Sequence, residues 1–170
     1  MKIDSENILQ SILESLSRID YIHEGDIPNI DLYMDQVTTL METQLSHTKR
    51  HGDDKILTKT MINNYAKNNL LPPPVKKKYS KEHVIVLIFI YYFKNILSIK
   101  DIEALLAPLI DNHFQTDSEL GPPDIYNKIC SLEIEQIAPL QEEMKQVYAR
   151  AQESFADAPD EERAQLQLFS

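Results

Sequence analysis

Residues 57–106 read LTKTMINNYAKNNLLPPPVKKKYSKEHVIVLIFIYYFKNILSIKDIEALL, and this stretch decides how the chain folds. Pro72-Pro73-Pro74 divides it, because proline lacks an N–H and pushes the preceding residue out of the helical region. Ahead of the break, Thr58 is a good N-cap for a short helix holding Met61, Ile62 and Tyr65, with Lys59, Thr60, Asn63, Asn64 and Lys67 exposed. Asn68-Asn69 weaken helical propensity before the prolines. Behind the break, Val75 to Tyr79 reads as an extended basic connector, and Ser80 as the cap of a helix through Asn95. The apolar run Val84 to Phe93 favours a strand by propensity alone, but its length and the cap favour a helix. It is far short of the ~20 residues needed to span a bilayer, so it is a buried core element. Ser98 with Asp101 resembles a capping box, opening a helix with Ile99, Ile102, Leu105 and Leu106 that Pro108 should end or bend.

Working outward, Ile8, Leu9, Ile12, Leu13, Leu16 and Ile19 form one helical face, with Ser5 or Asp4 as its cap. Gly25 to Asn29 reads as a turn. Leu32, Tyr33, Val37, Leu40, Met41 and Leu45 give a second stripe, with Asp31 near its start, ending near Ser46. His47 to Lys55 is polar and should be a loop. Beyond Gly121-Pro122-Pro123, the apolar spacing from Ile125 to Tyr148 predicts one kinked helix or two consecutive helices interrupted at Pro139. Residues 157–170 read as an acidic, frayed tail. The organisation expected is an N-terminal helix over 1–28, a central domain over 29–110, a C-terminal helical segment over 111–156, and that tail. The fold class is all-α, and three glycines in 170 residues support it, because turn-rich β architectures need many residues with φ > 0.

The net charge of −10 argues against a polyphosphate partner only if it is evenly spread, and it is not. Residues 1–46 carry two basic and nine acidic residues, net −7, whereas residues 47–81 carry nine Lys or Arg and only Asp53 and Asp54, net +7. Residues 111–170 return to net −9, with four basic and thirteen acidic residues. The basic island coincides with the short helix and the lysine strip.

Several phrases of this region resemble the DNA-binding domain of MerR-family transcriptional regulators, which carries a winged helix-turn-helix. The recognition helix of that family ends in Arg-Tyr-Tyr-Glu-Arg-x-Gly-Leu-Leu-x-Pro. Tyr65, Lys67, Leu70, Leu71 and Pro73 match it here, with Asn63 where the family has Arg and Asn69 where it has Gly. Tyr79-Ser80 falls on the opening of the next helix, and Ser98, Asp101 and Ile102 on a later Gly-Phe-Ser-Leu-x-Glu-Ile phrase. More closely, the whole pattern, with its acidic leading helix and Asn-Asn-Tyr phrase, resembles the bacterial family catalogued as domain of unknown function 1836. The resemblance implies a MerR-like winged helix-turn-helix centre with flanking N- and C-terminal helices.

The residues support the same role by their chemistry. Asparagine makes bidentate contacts to adenine edges and lysine contacts phosphate, so a helix mixing the two suits a major groove. The expected DNA-binding set is Lys59, Thr60, Asn63, Asn64, Tyr65 and Lys67 on the helix, with Lys76, Lys77, Lys78 and Tyr79 on a short wing. If the five lysines each neutralise a phosphate, log K should fall with log salt at a slope of about −4 to −5. Double-stranded DNA is the expected partner, and the apolar C-terminal helices either pack back on the domain or dimerise it. The alternative is a protein-interaction adaptor that keeps the fold without binding DNA; a small-molecule sensor in the C-terminal half is a third reading.

Other chemistry is thin. His47 and His51 have a zinc-compatible spacing but no third ligand, and His83 and His113 are lone residues. Tyr91, Tyr92 and Phe93 suit core packing, and Cys130 is a small apolar residue that can form no internal disulfide. No acid pair, activated nucleophile or cofactor fingerprint stands out, so no enzyme, metal or cofactor is expected. Met1-Lys2 leads into an acidic amphipathic stretch rather than an apolar signal sequence, which points to the cytoplasm.

Overall fold

The computed structural model describes residues 5–17, 21–49, 52–117, 119–155, 158, 159, 162, 163 and 166. Asp4, Ile19, His51 and Asp157, on which a cap, a stripe position, a metal pairing and the start of the tail were expected, lie outside them. The described chain forms α1 (Ser5–Ser17), β1 (Leu32–Tyr33), α2 (Met34–Leu45), α3 (Lys59–Lys67), β2 (Lys78–Tyr79), α4 (Lys81–Phe93), α5 (Ile99–His113) and α6 (Pro122–Glu153). It is a helical protein with one small ribbon, and no helix among the described residues is long and apolar enough to cross a membrane. The chain divides into two compact units, one of Met1–Tyr21 with Cys130–Ser170 and one of Ile22–Ile129.

In the first unit, Leu9, Leu13 and Leu16 are the half-buried stripe of α1. The amide of Gln141 on α6 donates to Leu13 O at 3.0 Å and to Ser17 Oγ at 2.8 Å, holding that helix against α1. Of the two arrangements expected about Pro139, one kinked helix or two consecutive ones, the segment is one helix, α6, with the proline inside it.

The second unit is built around α4. Every residue from His83 to Tyr91 is buried, so α4 is apolar all round and belongs at the centre. Burial on all sides overrides the strand propensity of its β-branched residues. The surrounding elements each contribute one stripe: Val37, Met41 and Leu45 from α2, Ile62 and Tyr65 from α3, Ile102 and Leu106 from α5. Tyr126, at the start of α6, closes the unit by donating to Ile22 O at 2.8 Å and setting its ring edge-on to Phe89 at 5.5 Å.

Three local expectations change. Leu32 and Tyr33 precede α2 rather than begin it: they form β1, and Tyr33 N–H donates to Gln36 Oε1 at 2.8 Å in an N-terminal cap. Pro108 does not end α5, which continues to His113. The segment after the prolines is not extended but a tight reverse turn. Val75 N–H donates to Lys78 O at 3.1 Å and Lys78 N–H to Val75 O at 2.9 Å, with Lys76 and Lys77 at φ 50° and 63° between them. Past the turn, Lys78–Tyr79 pairs antiparallel with Tyr33–Leu32. Helix α2 packs against both α3 and β2, joining the ribbon to the short helix.

Candidate nucleic-acid interface

Thr58 caps α3 as expected, its Oγ1 accepting from Met61 N–H at 3.2 Å. The other end closes with a left-handed residue: Asn69 has φ 56°, Leu70 N–H donates to Tyr65 O at 2.9 Å and Asn69 N–H to Ala66 O at 3.4 Å. This pair of bonds is a Schellman motif, and asparagine is the residue that most readily replaces glycine in it. Leu70 and Leu71 then dive into the core. The helix is thereby fixed at both ends with Ile62 and Tyr65 inward and Lys59, Thr60, Asn63, Asn64 and Lys67 outward.

Two of the expected contact residues, Tyr65 and Tyr79, are buried. Tyr65 is 7% exposed and Tyr79 2%, and burial pushes both phenols above their ordinary pKa. Their rings belong to the core and not to the exposed surface. Of the remaining lysines, Lys67, Lys76 and Lys77 are exposed. Lys59 forms an ion pair with Asp35 at the start of α2. Lys78 is half-buried, its ammonium 5.3 Å from the centre of the Tyr33 ring. Tyr33 itself is 54% exposed and shares a register position with Lys78, so the ribbon adds an aromatic side chain that the sequence had assigned to a helix stripe.

His83, read as a lone residue, is structural. It is 1% exposed and stands between the edges of Tyr79 and Phe114 at 5.6 and 4.7 Å. Its Nδ1 accepts from Ser80 N–H at 3.0 Å, which places the ring proton on Nε2, 3.4 Å from Pro73 O. The imidazole thus ties the start of α4 to the proline stop after α3. Burial pushes its pKa below the ordinary 6.5, opposed by the Pro73 hydrogen bond and the charge of Asp31. A histidine three residues after a serine is the only trace of this in the sequence, since capping boxes normally use Glu or Gln there.

Among the described residues no group of three or more His, Cys, Asp or Glu could hold a metal. The second unit is thus a small helical domain that presents a short asparagine- and lysine-bearing helix and a lysine-tipped turn. The family model described as domain of unknown function (DUF1836) matches residues 22–129, and the chain belongs to that family. The match has the same limits as the second compact unit, so α1 and most of α6 lie outside it. No curated protein and no solved structure matches the chain.

Proposed function

We propose that the Ile22–Ile129 unit is a MerR-like winged helix-turn-helix that binds double-stranded DNA sequence-specifically and regulates transcription. In this reading α2 and α3 are the helix pair, α3 is the recognition helix, and the turn at Lys76-Lys77 with its ribbon is a minimal wing. The carrying observation is the turn. Two consecutive lysines at positive φ cost about 1–2 kcal/mol each against residues suited to that region, and strain of this kind collects at functional sites. Both side chains are exposed, and both lie within the basic island of residues 47–81. Asn63, Asn64 and Thr60 supply base-edge chemistry, and Lys67, Lys76 and Lys77 supply phosphate contacts.

A palindromic operator requires two copies of the domain. We infer that α6 pairs them, because Leu132, Leu140 and Val147 are exposed at spacings of eight and seven residues, on a different face from Gln141, which bonds α1.

The test is selection of bound duplexes from random DNA by the full chain, followed by a salt titration of the selected sequence. A half-site repeat is expected, with a slope of about −3 to −4 per subunit, for Lys67, Lys76 and Lys77 with part of Lys59. K76E/K77E should abolish binding at moderate salt. No enrichment at low salt, or affinity unchanged in K76E/K77E, overturns the reading in favour of a protein-binding adaptor.

A further inference from the structure

A cavity of about 420 Å³ is lined by Thr48, Lys49 and residues 54–56, which lie in the linker between α2 and α3, and by side chains at and just beyond the end of α4. Lys49 and Lys55 come from the linker, Lys94 and Asn95 directly follow α4, and Asp54 is the acid among the described lining residues. Lys94 is held in place: its ammonium donates to Ile56 O at 2.9 Å and sits 4.5 Å from the centre of the Tyr91 ring. The Tyr91 hydroxyl is fixed in turn by Thr48 Oγ1, which donates its own proton to Leu45 O at 2.7 Å. Lys49 is steadied by an ion pair with Glu42 on α2.

We propose that this cavity binds a small multivalent phosphate, such as a pyrophosphate-bearing metabolite. Three lysines line a space large enough for such a ligand, and the side chains of Lys49 and Lys94 are already held by Glu42 and by Ile56 O, which lowers the ordering cost of binding. Lysine meets phosphate as a compact point charge and needs no planar fork. Burial holds the Lys94 ammonium below its ordinary pKa despite the nearby Asp54 carboxylate, so an anion in the cavity supplies compensation that the protein only partly provides. An occupant would tie the linker that leads into α3 to the end of α4.

The probe is sodium pyrophosphate, titrated into the full chain by calorimetry without DNA and at constant ionic strength, with citrate as the carboxylate arm. One equivalent should bind. K55Q, on an exposed side chain, should weaken it about threefold, and K94M should abolish it. Because K94M also removes the bond to Ile56 O, its fold is checked by circular dichroism, and K55Q carries the test if K94M unfolds. No binding by the wild-type chain, citrate binding as tightly as pyrophosphate, or affinity unchanged in K55Q each overturns the proposal. So does loss of binding in K76Q/K77Q with K55Q unaffected, which puts the anion at the turn. Binding is read without duplex, so its failure leaves the DNA reading standing, and failure of DNA binding leaves this one standing.

Discussion

On the proposed DNA-binding reading, single residues set the balance between stability and binding in the second unit. A two-residue turn with positive φ at both positions favours Asn-Gly, yet Lys76-Lys77 stands there. K76N/K77G should therefore stabilise the protein, by about 2–4 kcal/mol in urea unfolding. The same change should cut DNA affinity and flatten its salt slope by about two. A gain in stability with no loss of affinity would show that the strained lysines serve neither purpose. His83 gives a second residue-scale prediction. Its folded pKa lies below its ordinary 6.5, so the unfolded chain takes up the proton more readily. The contribution is complete above about pH 6.5 and is lost as pH falls below it through the folded value. His83→Gln keeps an acceptor for Ser80 N–H and has no proton to gain, so its stability should vary less with pH over that window, as followed by urea midpoints.

At the scale of elements, what was legible in the sequence was whatever depends on near neighbours. The Thr58 cap, the Ser98–Asp101 box and the left-handed Asn69 are short-range chemistry, and each stands where the residues imply. What was not legible depends on distant partners. Leu32 and Tyr33 share the apolar spacing of α2, and only the pairing with Lys78 and Tyr79 makes them a strand. Tyr65 and Tyr79 were sorted with the contact residues because a tyrosine suits core and interface equally, and sequence spacing does not say which side α4 occupies. Pro108 was expected to end or bend α5, and it does not end it. It is exposed inside α5 and leaves Ala104 O without its helical N–H partner. P108A restores that bond without disturbing the buried Ile102 and Leu106. It should stabilise the protein by about 1–3 kcal/mol, seen as a higher urea midpoint at unchanged slope.

On the scale of the whole molecule, the −10 charge and the +7 island define a problem of selectivity rather than of affinity. Segments as acidic as residues 1–46 and 111–170 repel a duplex, which on the proposed reading would slow non-specific association without touching the bases. Asp35 brings this field into the site. It lies exposed at the start of α2, and its ion pair with Lys59 places a carboxylate beside the first turn of α3. An exposed pair of this kind adds little to stability, about 0–1 kcal/mol, so its charge matters more than its bond. On the proposed DNA-binding reading, a phosphate at this place would have to displace Asp35 from Lys59 or be repelled by it, and a duplex with matching base contacts would repay that cost. D35N should therefore raise affinity for random duplex more than for the selected sequence. The salt slope on random duplex should steepen by about one as Lys59 becomes available, with the urea midpoint nearly unchanged. Equal gains on both duplexes would make Asp35 a general repulsive charge, and no gain on either would place the first turn of α3 away from the phosphates.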